Sequence, residues 1–357
     1  MRSLTVLPLV GILLAPAAGP AHGQELPGWV ERLSFKGDLR LRYDAIDEEG
    51  EIDRDRARYR ARFAVTAAVN ERVSLIMELA SGAENPVSRN ATFDGGFTTK
   101  DFGMDLAYVD WAIADDWRFY GGKMKNPLFR PGGSAVVYDS DLNPEGVALA
   151  FSRGAFFATA GVFSVEERSS ADDTWLTAVQ FGGKFDLADD TKLTAGVGYF
   201  GYSNTVGNEP FYNGASAGNS VDAEGNYLYE YRNTEAFVTL DTRLGDTPLT
   251  LYAHWVNNGE VDVEDTAYGL GARVGIGKTS VGWRYTDLEA DAVIGTFTDS
   301  DFGGGGVDMD GHTLWATHPV GRGVTLAATL FLNEVDRFQG TAHDYTRLIL
   351  DVSFGFN

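Results

Sequence analysis

The sequence predicts an all-β fold, a transmembrane antiparallel β-barrel of about 16 strands. The first observation behind this prediction is a period-two alternation of apolar residues with small or polar ones, which recurs along the chain. From Tyr268 to Ile276, for example, every second residue is apolar, and glycines or Arg273 lie between them. Successive side chains of a strand point to opposite faces, so each such segment has one apolar face.

Two further observations favour a membrane barrel over a soluble β-sandwich, the other fold with this alternation. Many alternating segments are longer than the ~5–6 residues of an ordinary soluble strand and reach the ~9–11 residues that a tilted strand needs to cross a bilayer. Aromatic residues lie near segment ends, where an interfacial girdle would form; these are Tyr108, Trp111, Trp117, Tyr120, Trp175 and Trp255. The opposite faces carry charges and glycines, which suit a wet lumen.

The alternating segments predict where the strands lie. They are expected to start near Leu33, Ala57, Val73, Met104, Trp117, Gly146, Ala155, Trp175, Thr191, Asn233, Pro248, Thr266, Thr279, Gly311, Gly323 and Thr346. Short connections such as residues 70–72, 188–190 and 245–247 indicate periplasmic turns. Long segments at 82–101, 203–229 and 289–310 indicate outer loops, an asymmetry typical of membrane barrels. The last segment, with apolar residues from Leu348 to Phe356, predicts a closing strand.

Composition excludes several classes of function. The 357 residues carry a net charge of −22, so phosphate repulsion argues against nucleic acid as a partner. The chain has no Cys, which excludes disulfides, thiolate metal sites and a Cys nucleophile. The His residues lack ligand spacing, and no cofactor is expected. Acidic residues of one outer loop could bind Ca²⁺ or Mg²⁺ at the rim, although solvated loop charge is the favoured interpretation; they are Asp299, Asp301, Asp308 and Asp310.

The N-terminus predicts export. A basic start at Arg2 precedes an apolar run that is too short to span a bilayer as a helix, and Ala21-His22-Gly23 follows with small residues at the cleavage positions. Residues 1–23 are therefore expected to be a cleavable signal peptide, with an N-terminal anchor as the alternative. Residues 24–357 then form the barrel domain, in the outer membrane of a Gram-negative cell with lipid and lipopolysaccharide as its surroundings.

Within residues 33–150 the chain resembles a known family. The segments FKGDLRLRY at 35–43 and DRARYRARF at 55–63 resemble the opening hairpin of the bacterial putative-porin family. The segments GGKMKNP at 121–127 and DSDLNPEG at 139–146 resemble its third-loop region. The resemblance implies a sixteen-stranded outer-membrane channel, a homotrimer, and a third loop folded into the lumen.

Charged residues of the first two strands are the predicted pore lining. The parity that puts Leu39, Leu41 and Tyr59 in lipid sends the charged residues inward, because arginine on the lipid face costs about 2–4 kcal/mol at mid-depth. The predicted pore-lining residues are Lys36, Asp38, Arg40, Arg42, Arg56, Arg58, Arg60 and Arg62. Such a ladder offers successive hydrogen bonds to an anion or a polyhydroxy solute. The alternative is that carboxylates such as Asp38, Asp44 and Glu78 pair with the arginines, which then shape the pore without selecting.

The segment 126–145 is the candidate third loop, because its prolines and glycines prevent it from being a strand. If it folds inward against the arginines, a transverse field crosses the narrowest point; an ordinary surface loop is the alternative. The predicted constriction residues are Lys123, Lys125, Arg130, Asp139, Asp141 and Glu145.

These observations predict a water-filled channel for passive diffusion of small hydrophilic solutes or ions, and no enzymatic activity. A barrel of about sixteen strands is too wide for side chains to fill. Two alternatives remain open. One is an outer-membrane barrel enzyme of protease or lipase type, for which His254 or His312 with nearby acids would have to converge at a rim. The other is a non-conducting structural or adhesive barrel.

Overall fold

β-Strands make up most of the described part of the chain. The structure is a computed structural model that describes residue 28 and residues 30–82, 84–338 and 340–356. The predicted signal peptide, residues 1–23, lies outside the described residues. No helix within these ranges is long and apolar enough to span a membrane.

Sixteen long strands make up the barrel. In chain order they are β1 Leu33–Glu48, β2 Arg54–Asn70, β3 Val73–Ser81, β4 Phe102–Ala114, β5 Trp117–Lys123, β6 Glu145–Arg153, β7 Phe156–Glu166, β8 Thr174–Ala188, β9 Thr191–Tyr202, β10 Arg232–Leu244, β11 Thr247–Asn258, β12 Thr266–Ile276, β13 Thr279–Leu288, β14 Met309–Gly321, β15 Val324–Val335 and β16 His343–Phe356. Each predicted strand start lies within three residues of an observed one, so the predicted strand count and positions are confirmed.

The strands close into one antiparallel barrel. Each strand pairs with its neighbours in sequence, and β16 pairs back onto β1 from Gly37 opposite Phe356 to Glu48 opposite Tyr345. A two-residue segment, Ala91–Thr92, pairs with Arg58 and Tyr59 near the start of β2. Closure leaves no strand as a free edge strand of the sheet, as a sheet in lipid requires.

The two ends of the barrel differ in their connections. At one end the strands are joined by two-residue turns, at 71–72, 115–116, 154–155, 189–190, 245–246, 277–278 and 322–323. Gly245 and Gly277 each adopt φ +59°, the left-handed conformation that tight hairpin turns need. At the other end lie the longer loops, which include the second loop (82–101), the third loop (124–144) and the seventh loop (289–308).

Apolar side chains face outward along the strands. On β15, Leu326 and Leu332 are 42% and 41% exposed on the outer face. Phe331, which has the opposite parity, is buried inside the barrel. A barrel with this pattern places its apolar band against acyl chains and encloses its polar face.

This orientation predicts that two adjacent substitutions on β15 differ in their effect on folding. Leu330→Arg puts a charge on the lipid face and should cost about 2–4 kcal/mol of folding free energy near mid-depth. Thr329→Arg puts the same side chain into the lumen, where Thr329 lines a cavity, and should leave folding unchanged. Urea titration of folding into lipid vesicles measures both. Equal destabilisation by the two variants would contradict the assigned faces.

The predicted aromatic girdle is correct in part. Trp111, Trp117, Trp175 and Trp255 are all exposed on the outer face, two beside a short turn and two near the loop end. The prediction is wrong for Tyr108 and Tyr120. Tyr108 lies opposite lumen-facing Ile76, and the two tyrosine rings contact each other on the lumen side, because their parity is opposite to that of Trp111.

An apolar core lies inside the barrel, where loops meet the wall. It includes Met124, Val136 and Val137 of the third loop, Val293 and Phe302 of the seventh, and the wall residues Phe200, Val256 and Phe331. The prediction of a polar lumen therefore holds only for part of its length. Near the loop end the loops bring their own apolar residues inward, where they cover apolar positions of the wall.

Candidate functional site

Strands β1 and β2 place six arginines on the lumen side. Arg40 lies opposite Arg60, and Arg42 lies opposite Arg58, in antiparallel register. Leu41, with the opposite parity, is exposed on the outer face. We call these six residues the arginine wall: Arg40, Arg42, Arg56, Arg58, Arg60 and Arg62.

Aspartates of β1 neutralise much of the arginine wall. Asp38 accepts hydrogen bonds from Arg60 at 2.9 Å and from Arg62 at 2.7 Å. Asp44 is fully buried and accepts one from Arg56 at 2.6 Å. The pairing expected for Asp38 and Asp44 is thus present, whereas Glu78 has no cationic group within 4.0 Å among the described residues.

The seventh loop reaches the same wall. Asp301 contacts Arg42 at 2.7 Å and Arg347 of β16 at 2.9 Å. Asp351 also contacts Arg42, at 2.8 Å, and Arg347 contacts Asp44 at 2.8 Å. The seventh loop is therefore more than the outer loop expected from its composition, because its acidic tip is held inside the barrel.

The charges of this network do not cancel. Seven arginines face five aspartates, which leaves a formal excess of two positive charges; the members are the arginine wall and Arg347, with Asp38, Asp44, Asp141, Asp301 and Asp351. In a narrow, partly desolvated space such an excess favours anions.

The third loop lies against the lumen side of the wall on β8 and β11. The backbone N–H of Phe129 donates to Oε1 of Gln180 at 2.7 Å, and Nε2 of Gln180 donates to the carbonyl of Phe129 at 3.0 Å. Gln180 is buried, whereas its chain neighbour Val179 is exposed on the outer face, so Gln180 points into the barrel. Gly132 of the loop leaves no room for a Cβ against the ring of Tyr252 on β11.

A buried polar network holds the loop to this wall. Ser134 Oγ and His254 Nδ1 are 3.1 Å apart, and His254 Nε2 is 2.7 Å from Oε1 of Glu235. Gln180 Nε2 donates to the other oxygen of Glu235 at 3.0 Å. We call Ser134, Gln180, Glu235 and His254 the loop latch; each is at most 4% exposed.

The loop latch bears on the enzyme alternative, because serine, histidine and glutamate in contact are the groups of a hydrolase triad. Ser134 Oγ, however, faces the wall, 3.4 Å from where a Cβ of Gly269 would be, and Ser134 does not line the lumen cavity. His312 lies on the outer face, between the rings of Trp283 and Tyr285. Neither histidine meets acids at an open rim.

The charged residues predicted for the constriction do not form one cluster. Asp141 approaches the arginine wall, 3.8 Å from Arg60, and Lys125 donates to the carbonyl of Ser140 within the loop. Lys123 and Glu145, at the loop ends, pair with each other at 2.7 Å.

Asp139 and Arg130 lie elsewhere in the loop. Asp139 Oδ2 accepts a hydrogen bond from the backbone N–H of Ser300, which joins the third loop to the seventh. Arg130 donates to the carbonyls of Gly133 and Ser134.

The second loop also contacts the arginine wall, which sequence reasoning missed. Asn90 Oδ1 accepts a hydrogen bond from Arg40 at 2.7 Å, and the Asn90 carbonyl accepts one from Arg58. Arg89 donates to the carbonyl of Asp141 in the third loop. Nothing in the local pattern around Asn90 indicated a contact with β1.

Wall and loops enclose a cavity of about 360 Å³ inside the barrel. Its charged lining residues are Arg40, Arg60, Arg130, Arg273, Arg284, Asp139, Asp141, Asp299 and Asp301. Arg273 and Arg284 were not predicted as pore-lining, although each lies on the polar face of an alternating segment. A second cavity of about 770 Å³ lies toward the short turns and is lined by Lys36, Asp38 and Arg62.

The acids considered as a rim cation site have other partners. Asp299 pairs with Arg284 at 2.6 Å, and Asp310 accepts a hydrogen bond from the hydroxyl of Tyr285. Asp301 is paired with arginine as described above. In the part of the chain that the structure describes, no three His, Cys, Asp or Glu residues are grouped to hold a metal ion.

Two loop carboxyls have shifted pKa values. Burial, with the charges of Asp299 and Asp141 beside it, raises the pKa of Asp139 to about 8. Burial acts in the same direction on Asp301, but Arg347 and Arg42 outweigh it and hold the pKa of Asp301 below its usual range. Asp139 is therefore the lining group whose charge changes near neutral pH.

This shift predicts a pH-dependent selectivity. Below about pH 8 the Asp139 carboxyl is protonated in the folded protein, and raising the pH through about 8 adds a negative charge to the cavity lining. Anion preference should therefore fall as the pH rises. Reversal potentials recorded from about pH 6 to about pH 10 measure it. Asp139→Asn should flatten this dependence; an unchanged pH profile in that variant would exclude Asp139 as its source.

A closed barrel of sixteen antiparallel strands with a charged lumen defines a porin-type outer-membrane protein. The family comparison agrees, because residues 45–234 and 221–356 match the family described as putative porin. The chain belongs to this putative-porin family.

Solved porins share the fold at low sequence identity. OprB of Pseudomonas putida aligns with a TM-score of 0.60 at 11% identity, covering 92% of this chain and 96% of that one. A variant of the Rhodopseudomonas blastica porin gives 0.53 at 12% identity, covering 91% of this chain and all of the other. A loop-deletion variant of OmpT, an outer-membrane protein of Vibrio cholerae, gives 0.50 at 15% identity, with coverage of 91% and 100%. A search of curated proteins gave no significant match.

Proposed function

We propose that the chain forms a water-filled channel through which small hydrophilic solutes and ions diffuse passively across the outer membrane, with a weak preference for anions. The observation that supports this most is the lumen cavity, which is lined by charged residues of β1, β2, β12 and β13 and of the third and seventh loops. Diffusion through such a space needs no catalytic group, only width and a charged lining.

The proposed selectivity depends on local charge rather than on the total charge of the chain. The chain as a whole carries −22, but exposed charges more than a Debye length of about 8 Å away are screened at physiological ionic strength. The excess of two positive charges around the arginine wall lies within the lumen. The third loop supplies the charge of Asp141 beside Arg60 and, above about pH 8, that of Asp139, which makes it the proposed constriction loop.

Recording from refolded protein in planar bilayers tests the proposal. We expect stepwise conductance increments and, in a salt gradient, a reversal potential on the anion side. Absence of conductance steps with correctly folded protein would favour a non-conducting structural barrel instead. Export by a cleavable signal peptide and assembly as a homotrimer, both expected above, belong to this proposal. N-terminal sequencing of the mature protein and its mass in detergent test them.

A further inference from the structure

A second group of lumen-side aromatic and arginine side chains lies on strands β11 to β14, which are separated from β1 by β15 and β16. In the register of β11 to β14, Tyr252 lies opposite Gly271, which lies opposite Arg284. In the next lumen-facing row, Arg273 lies opposite Gly282, which lies opposite Trp315. We call Tyr252, Arg273, Arg284 and Trp315 the ring–arginine patch.

Glycine shapes this patch. A Cβ at Gly282 would overlap the indole of Trp315, and a Cβ at Gly271 would overlap the ring of Tyr252. Each ring therefore lies flat across a glycine toward the arginine of its own row. A guanidinium beside an aromatic ring forms a surface on which a flat group can stack while an anionic group is hydrogen-bonded.

The two arginines of the patch differ in their charge balance. Arg284 is neutralised by Asp299 at 2.6 Å. Arg273 donates to the hydroxyl of Thr250 at 3.2 Å and, among the described residues, has no carboxylate within 4.0 Å. Arg130, across the same cavity, also lacks such a carboxylate and donates to backbone carbonyls. Most of the arginine wall, in contrast, is already occupied by aspartates.

The two rings also differ in access. Gly132 of the third loop covers Tyr252, which is 7% exposed. Trp315 is half-buried and lines the cavity together with Arg130 and Arg273. One open ring and two guanidinium groups without carboxylate partners thus face a space of about 360 Å³, within the size range of small-molecule pockets.

We propose that this cavity is a binding site for small organic anions that carry a flat ring, the class of aromatic carboxylates. The carboxylate is held by Arg273, with Arg130 adding positive charge from the third loop, and the ring stacks on Trp315 beside Gly282. Charge-assisted, two-point contacts of guanidinium with carboxylate are the strong form of such recognition. This inference rests on the proposed channel function and gives it a preferred solute class.

Calorimetric titration of the folded protein in detergent with benzoate measures binding at this site and does not require conduction. Acetate lacks the ring and benzyl alcohol lacks the charge, so both should bind at least about tenfold more weakly than benzoate. Arg273→Gln should weaken benzoate binding about tenfold or more, the scale of a lost charge-assisted contact. Trp315→Leu should weaken benzoate binding severalfold and leave acetate unchanged. Arg72→Gln, at an exposed turn position, is the matched control.

Single-channel recording then separates the inference from the proposed function. Benzoate should produce a saturable block of chloride current that Arg273→Gln relieves. Conductance steps without any benzoate binding or block would overturn the inference and leave the channel proposal standing. Benzoate binding without conductance steps would overturn the channel proposal alone. Equal binding of benzoate, acetate and benzyl alcohol would also overturn the inference.

Discussion

Replacing Arg58 and Arg60 together with alanine should shift the reversal potential toward cations. The two side chains supply positive charge equal to the whole excess of the network around the arginine wall. A unit charge about 6 Å from a passing ion contributes about 0.7 kcal/mol at a water-like dielectric constant. Removing the two together should therefore lower the entry of an anion by about tenfold at low salt and raise that of a cation by a similar factor.

The structure provides a matched control for this experiment. Arg72 and Arg153 lie at the short-turn end with side chains 59% and 76% exposed, outside the lumen network. Arg72→Ala with Arg153→Ala removes the same charge from the chain and should leave the reversal potential unchanged. If the Arg58 and Arg60 variant behaves like this control, the arginine wall does not line the constriction.

Removing the central carboxylate of the loop latch should free the third loop. Glu235→Leu removes, in a buried site, the carboxylate that lies 2.7 Å from His254 Nε2 and accepts one of the two hydrogen bonds of Gln180 Nε2. Leaving a buried polar group without a partner costs about 1–3 kcal/mol, which raises the population of detached loop by about fivefold to a hundredfold. We expect frequent closures in single-channel records and faster proteolysis within the third loop.

Glu235→Gln separates a specific latch from a general packing effect. The glutamine keeps the volume and an acceptor for Gln180, so it should restore a quiet channel and a protected loop. A noisy channel with Glu235→Gln, or a quiet one with Glu235→Leu, would show that this network does not hold the loop.

Strand positions and faces could be predicted from the sequence because they depend on local alternation. A shift of one residue would put Arg58 and Arg60 into lipid, so the parity of β2 has one low-energy solution. The same reasoning failed at Tyr108 and Tyr120, where proximity to a segment end was weighed without parity.

The contacts between loops and wall could not be predicted in this way. Arg42 and Asp301 are 259 positions apart in the chain, and the loops carry no periodic pattern that indicates their partners. Arg273 and Trp315 belong to different strands, and they become neighbours only through the register of β12 to β14 across Gly282. Sequence reasoning identified the arginine wall because its arginines occupy alternate positions on the two strands of one hairpin.

Labelling of single cysteines along β15 tests the orientation of the barrel wall most directly, and the absence of native Cys makes each introduced thiol unique. The protein is folded into lipid vesicles and treated with a charged, water-soluble maleimide. Cysteine at Ala327 or Thr329, which line the cavity, should react, and cysteine at Ala328 or Leu330 should be protected by acyl chains. Reaction at Ala328 and Leu330 with protection of Ala327 and Thr329 would contradict a lipid-facing apolar surface around a water-filled lumen.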